Sequence, residues 1–73
     1  MYMTIQQAEI IIAYADNSMS RTATAKSLFH AKSTIDYQMQ KIRENTGKDP
    51  KNFYDLCDLL PIARAVVSGK CYL

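Results

Sequence analysis

Apolar residues recur at spacings of three and four along nearly the whole chain, and no stretch alternates residue by residue as a half-buried strand does. The pattern predicts an all-α fold, a small four-helix domain. The first helix starts at Thr4, which makes a capping box with Gln7. It carries a stripe of Ala8, Ile11, Ile12 and Ala15 before Asp16-Asn17-Ser18 ends it. Ser20 is an N-cap residue type and opens a second helix of about two turns, with Ala25 and Leu28 inward. Ser33 with Asp36 repeats the capping-box pattern at the head of a third helix over about 33–46. That helix buries Ile35, Met39 and Ile42 and ends in a left-handed cap at Gly47. Asp49-Pro50 pairs a cap residue with the position where proline favours a helix start, predicting a fourth helix over about 50–67. Pro61 should kink or break that helix, because proline has no N–H to donate, and Gly69 closes it.

Only the few residues from Phe29 to Lys32 separate the second and third helices. A short helix with a small inward Ala25, a tight connector and a longer third helix is the arrangement of a helix-turn-helix. The small residue lets the two helices cross closely, and Leu28, Ile35 and Met39 lock the crossing. In that arrangement the third helix enters the major groove of DNA with its N-terminal residues nearest the bases. Its outer face holds Ser33, Tyr37, Gln40, Lys41 and Glu44, with Thr34 and Gln38 on the flanks. By spacing alone, a plain helical bundle showing solvent a polar face fits equally well.

The distribution of charge favours the first reading. The net charge of +2 is small, but residues 1–20 hold two acids and no base. Residues 21–51 hold seven bases (Arg21, Lys26, Lys32, Lys41, Arg43, Lys48 and Lys51) against three acids, and the remainder balances. The positive surplus therefore sits on the helix-turn-helix, where phosphate contact requires it. Arg21 and Lys26 are phosphate candidates, and Lys32 and Lys41 can reach guanine or phosphate. Gln38 and Gln40 can offer adenine a donor–acceptor pair. Ser33 and Thr34 stand at the helix start, where hydroxyl and backbone N–H groups contact phosphate, although capping alone also accounts for Ser33. Tyr37 either lies against a DNA strand or a thymine methyl, or covers the edge of the core. Asp36 reads as a cap and a repulsive specificity element rather than a base reader.

Seventy-three residues with 48% hydrophobic content suit a single domain over 1–73, too short for sheet- or barrel-based catalytic folds and too apolar for a disordered tail. Such a chain buries only about 60% of its unfolded surface. Cys57, Cys71 and the lone His30 are too few and too scattered for a closed zinc site. Free thiols in a reducing compartment are the plainest reading, with a single disulfide as the alternative. No Gly-rich phosphate loop is present, and no Ser or Cys nucleophile has an evident base and orienter. The expectation is therefore a protein that is not an enzyme and uses no metal or cofactor. The longest early apolar run, Ile10 to Ala15, lacks a basic leader and is too short for a bilayer. This predicts a cytoplasmic protein with no membrane partner and no evident small-molecule effector.

Ala25-Lys26-Ser27-Leu28-Phe29, then Ser33-Thr34-Ile35, Tyr37, Met39, Ile42 and Thr46-Gly47, followed from Asp49 by an acidic, proline-containing loop and an apolar helix, resembles the C-terminal helix-turn-helix domain of PucR/CdaR-type regulators. The resemblance covers about two thirds of the chain. It implies a Fis-like, DNA-reading, dimer-prone transcriptional regulator. Two departures stand out. The family's usual histidine falls on Ala31, with His30 one place earlier, and two commonly basic positions of the recognition helix are Asp36 and Gln38. Both changes lower phosphate affinity and alter base preference. With no sensor ahead of the motif, the chain fits a small autonomous regulator, such as a phage or mobile-element product, or a fragment.

A fourth helix that continues past Pro61 is apolar over about 200° of its circumference, wider than a surface helix needs. Phe53, Leu56, Leu60, Ala63 and Val67 form one stripe; Leu59, Ile62 and Val66 form a second beside it. The second stripe is the expected homodimer interface, placing two recognition helices about 34 Å apart on a pseudo-palindromic site; the alternative is that it closes over the first helix inside the monomer. The leading expectation is thus sequence-specific double-stranded DNA binding by a dimeric transcriptional regulator. The rivals are a protein-interaction module (an anti-activator or adaptor) that uses the apolar fourth helix, and a phage or mobile-element accessory factor for DNA packaging or recombination.

Overall fold

The computed structural model describes residues 3–69. Its four helices are α1 (Ile5–Asp16), α2 (Arg21–Leu28), α3 (Lys32–Thr46) and α4 (Phe53–Val67), with no strand among the described residues. The all-α expectation holds. α1 is the hub: it packs against each of the other three helices, whereas α4 packs on α1 alone. Ala8, Ile10, Ile11 and Tyr14 of α1 meet Ala25 of α2, Ile35, Met39 and Ile42 of α3, and Leu56, Leu59 and Ala63 of α4 in one core.

The start of α1 is the capping box that the sequence predicts. The Gln7 backbone N–H donates to Thr4 Oγ1 at 3.1 Å, and the Thr4 N–H donates to Gln7 Oε1 at 3.1 Å. Ser20 caps α2 by accepting from the Ala23 N–H at 3.2 Å. Ala25 is buried in the core that α2 shares with α1 and α3, and Leu28 is half-buried against it.

Two helix ends use left-handed residues without glycine. After α1, Ser18 and Met19 have φ of 55° and 63°, and the Met19 N–H donates to the Tyr14 carbonyl at 2.8 Å. After α2, Phe29 has φ 57°; its N–H donates to the Lys26 carbonyl at 3.3 Å and the His30 N–H to the Ala25 carbonyl at 2.9 Å. These paired bonds are the Schellman pattern, which glycine satisfies without steric cost and an L side chain only at about 1 kcal/mol. At the end of α3, Gly47 does take the left-handed position, with φ 75°.

Two predicted helix starts are corrected. Ser33 does not cap α3: the cap is Ala31, which has no side-chain hydrogen bond, and Ser33 lies one residue inside the helix. Asp36 is drawn instead to Arg21 of α2, a partner that local spacing does not reveal. Likewise α4 starts at Phe53 rather than Pro50, because Asn52 caps it by accepting from the Tyr54 and Asp55 N–H groups at 3.0 and 3.3 Å. Pro50 is buried in the preceding turn, and Asp49 accepts from the Lys51 N–H at 3.0 Å. Pro61 does not break α4, which runs through it. The proline and Cys57, whose carbonyl loses its helical donor, are both exposed, so water can take that bond.

The stripe expected to face a dimer partner is only partly accessible. Leu59 is fully buried inside the monomer, and Ile62 and Val66 are half-buried, Val66 against the core. The core takes Leu56 and Ala63 from one stripe and Leu59 from the other. What remains outside is the far edge of the first stripe, with Phe53 60% and Val67 46% exposed.

Candidate nucleic-acid interface

α3 turns Ile35, Met39 and Ile42 into the core and so turns Ser33, Tyr37, Gln40 and Glu44 to solvent. Tyr37 is 57% exposed, which favours its reading as a surface contact over a cover for the core. The Lys41 ammonium sits 5.6 Å from the Tyr37 ring centroid and 3.6 Å from a Glu44 carboxylate oxygen. The two side chains thus stand together on the outward face. Gln40 also turns to Glu44, donating at 3.3 Å.

The start of α3 breaks the usual rule for helix N-termini. The cap is an alanine, no acid lies in the first turn, and the first helical residue is the exposed Lys32. The Thr34 and Ile35 N–H groups bond the Ala31 carbonyl at 3.0 and 3.2 Å. Lys32 and Ser33 carry the outermost amides, at the positive end of the helix dipole beside a lysine. An anion is the natural complement of such an end.

The flanks are held by neighbouring helices. Gln38 is half-buried on the α1 side, where its Oε1 accepts from Gln7 Nε2 at 3.3 Å. Gln7 thus caps α1 with one end of its amide and steadies α3 with the other. Gln38 has its carbonyl turned inward and only its NH2 left for a base edge. On the α2 side, Arg21 bonds Asp36 at 2.9 Å, with both side chains 40% exposed. Tyr14, buried beneath this corner, has its phenol pushed above the ordinary tyrosine range by burial, an effect that nearby Arg21 opposes and Asp49 reinforces.

The sequence-predicted residues therefore divide. Lys32, Ser33, Tyr37 and Lys41 share the outer surface of α3, with Thr34 half-buried beside them and Lys26 exposed on α2. Arg21 and Gln38 are engaged within the fold. Of the seven bases in 21–51, Arg21, Lys41 and Lys48 form ion pairs, Lys48 with Asp58 at 3.1 Å. Lys26, Lys32, Arg43 and Lys51 are exposed with no ion pair among the described residues. Arg43 is the addition the structure makes. It lies on the Lys32–Asp36 side of α3, a placement that its i+7 relation to Asp36 could have shown.

Asp36→Asn tests what the Arg21 pair costs the surface. It removes a negative charge from α3 and frees a guanidinium, so affinity for duplex DNA should rise about threefold to tenfold and the salt slope steepen by about one. Because the pair is half-exposed, the melting midpoint should shift by no more than about 1 kcal/mol in stability. Titration of labelled duplex at several salt concentrations checks the affinity and the slope, and urea denaturation checks the stability.

A small α2 crossing a longer α3 over Ala25, with α1 behind both, defines a helix-turn-helix domain, a class that binds DNA. The family model for the PucR C-terminal helix-turn-helix domain matches residues 7–61, and the chain belongs to that family. No curated protein and no solved structure matches it. Among the described residues no helix is long and apolar enough to cross a membrane, and no group of three His, Cys, Asp or Glu could hold a metal. Cys57 is exposed and has no disulfide partner among the described residues, and the expectation for Cys71 lies outside them.

Proposed function

We propose that this protein is a sequence-specific transcriptional regulator that reads the major groove of double-stranded DNA with α3 and works as a two-fold dimer. The observation that carries the reading is the outward face of α3, where Lys32, Ser33, Tyr37 and Lys41 stand exposed or half-exposed beside an uncapped helix start. In this reading the first α3 amides and Lys32 hold one phosphate, and Lys26 and Arg43 extend the positive surface along the backbone. Tyr37 reaches the groove, with Lys41 beside it on a flanking phosphate. Gln38, steadied by Gln7, presents an amide N–H to a base acceptor.

Binding to duplex DNA as a function of salt tests this. Contacts from Lys26, Lys32, Lys41 and Arg43 correspond to about four phosphates, so log affinity should fall against log salt with a slope near −3.6. Within that binding, Lys41→Ala should weaken all sequences alike, and Gln38→Ala should change which sequence is preferred. A chain that binds no duplex near 50 mM salt would overturn the reading in favour of a protein-interaction module built on α4.

A further inference from the structure

Among the described residues α4 leaves an apolar line only partly covered, with Phe53 and Val67 exposed at its ends and Leu60 between them half-buried against the core. Phe53, Leu60 and Val67 are seven residues apart, so they fall on nearly one side of the helix over about 21 Å. Phe53 is 60% exposed, and its ring meets Tyr54, itself 78% exposed, edge to face at 5.6 Å and 71°. An exposed aromatic pair of this size has no role in the α3 surface. At the other end of the line, Val67 joins Ile12, Ala13 and Leu28 in the wall of an open groove of about 260 Å³ whose remaining lining includes Glu9 and Asp16. Neither acid makes an ion pair among the described residues. A cavity of about 150 Å³ already accommodates a benzene ring, so this groove has room for a phenyl side chain.

We infer that the occupant of this groove is Phe53 of a second copy of this chain, brought there by a two-fold axis passing beside Leu60 and perpendicular to α4. Such an axis sets the two α4 helices antiparallel, pairs Leu60 with Leu60, and places Phe53 of each copy beside Val67 of the other. An isologous interface demands a surface complementary to itself, and a projecting aromatic at one end with a groove at the other meets that demand. Charge agrees: Lys51, exposed and unpaired among the described residues, lies two positions ahead of Phe53 and arrives at the acidic lining of Glu9 and Asp16. Area agrees as well. Phe53 and Tyr54 together expose about 250 Å² per copy. An interface built on so few exposed residues lies at the small, reversible end of specific associations.

The inference rests on the dimer proposed above, and its test separates the two. In sedimentation of the full chain without DNA, the wild type should show a monomer–dimer equilibrium at micromolar concentration. Phe53→Glu should raise the dissociation constant at least fiftyfold with an unchanged helical spectrum, because the side chain is mostly exposed. Lys51→Glu should weaken association and Glu9→Lys in the same chain should restore it. With Cys57 and Cys71 both replaced by serine, Leu60→Cys should form an intermolecular disulfide on mild oxidation. A dimer indifferent to Phe53→Glu overturns this interface and leaves the dimer standing. A strictly monomeric chain overturns both.

Discussion

Replacing Ala31 by aspartate should stabilise the fold by about 1 kcal/mol and weaken duplex binding about tenfold. The two effects share one cause. Ala31 already has the extended backbone of an N-cap, φ −72° and ψ 149°, so an aspartate there can accept from the Ser33 or Thr34 N–H without rearrangement. It also places a carboxylate where the proposed contact puts a phosphate. Ala31→Asn separates the terms, since it caps without charge: it should stabilise to a similar degree and lose less affinity. Urea denaturation and anisotropy titration of the same three proteins are the measurements. If Ala31→Asp gains stability and keeps wild-type affinity, the N-terminus of α3 does not meet the phosphate backbone.

Ile35→Ala should cost about 2–5 kcal/mol. The side chain is fully buried on α3 among residues of the shared core, and removing it leaves a cavity that two short helices close only in part. A domain of this length has about 4–11 kcal/mol of stability to lose, so the variant should melt at least 10 °C lower, or be unfolded at room temperature. Tyr37→Ala, two residues away on the solvent face, should stay within about 0.5 kcal/mol of wild type. Thermal melts of the pair test whether α3 is divided into a structural and a reading face. Equal losses in both variants would deny that division.

Where the sequence was informative, the signal was local and had no competitor. Thr4 with Gln7, Ser20, the Ile35–Met39–Ile42 face and Gly47 could be read because each depends on neighbours within one turn. Ser33 and Asp36 carry the same capping pattern and fail because Arg21, fifteen residues earlier, offers Asp36 a charged partner across the α2–α3 crossing. In the sequence, Asp49-Pro50 is a louder helix-start signal than Asn52, although the buried Pro50 serves the turn. Both α4 stripes face inward in part: Leu56, Leu59 and Ala63 are buried, whereas Phe53 and Val67 at the ends are exposed, a division that the period alone does not give. Phe29 and Ser18 were invisible as left-handed caps, since the residue type that marks such positions is absent from both. On the candidate surface, the outward residues followed from the helical period. The engagement of Gln38 and Arg21 depends on α1 and α2, whose approach no period encodes.

The connectors of this fold are short: four residues between α1 and α2, three between α2 and α3, six between α3 and α4. Each helix therefore finds a neighbour with little chain to search, and topologies of this kind fold within microseconds to milliseconds. A domain with such short connectors therefore spends each unfolded interval briefly. The depth of the native well still sets the folded fraction, and rapid refolding keeps each excursion from it short.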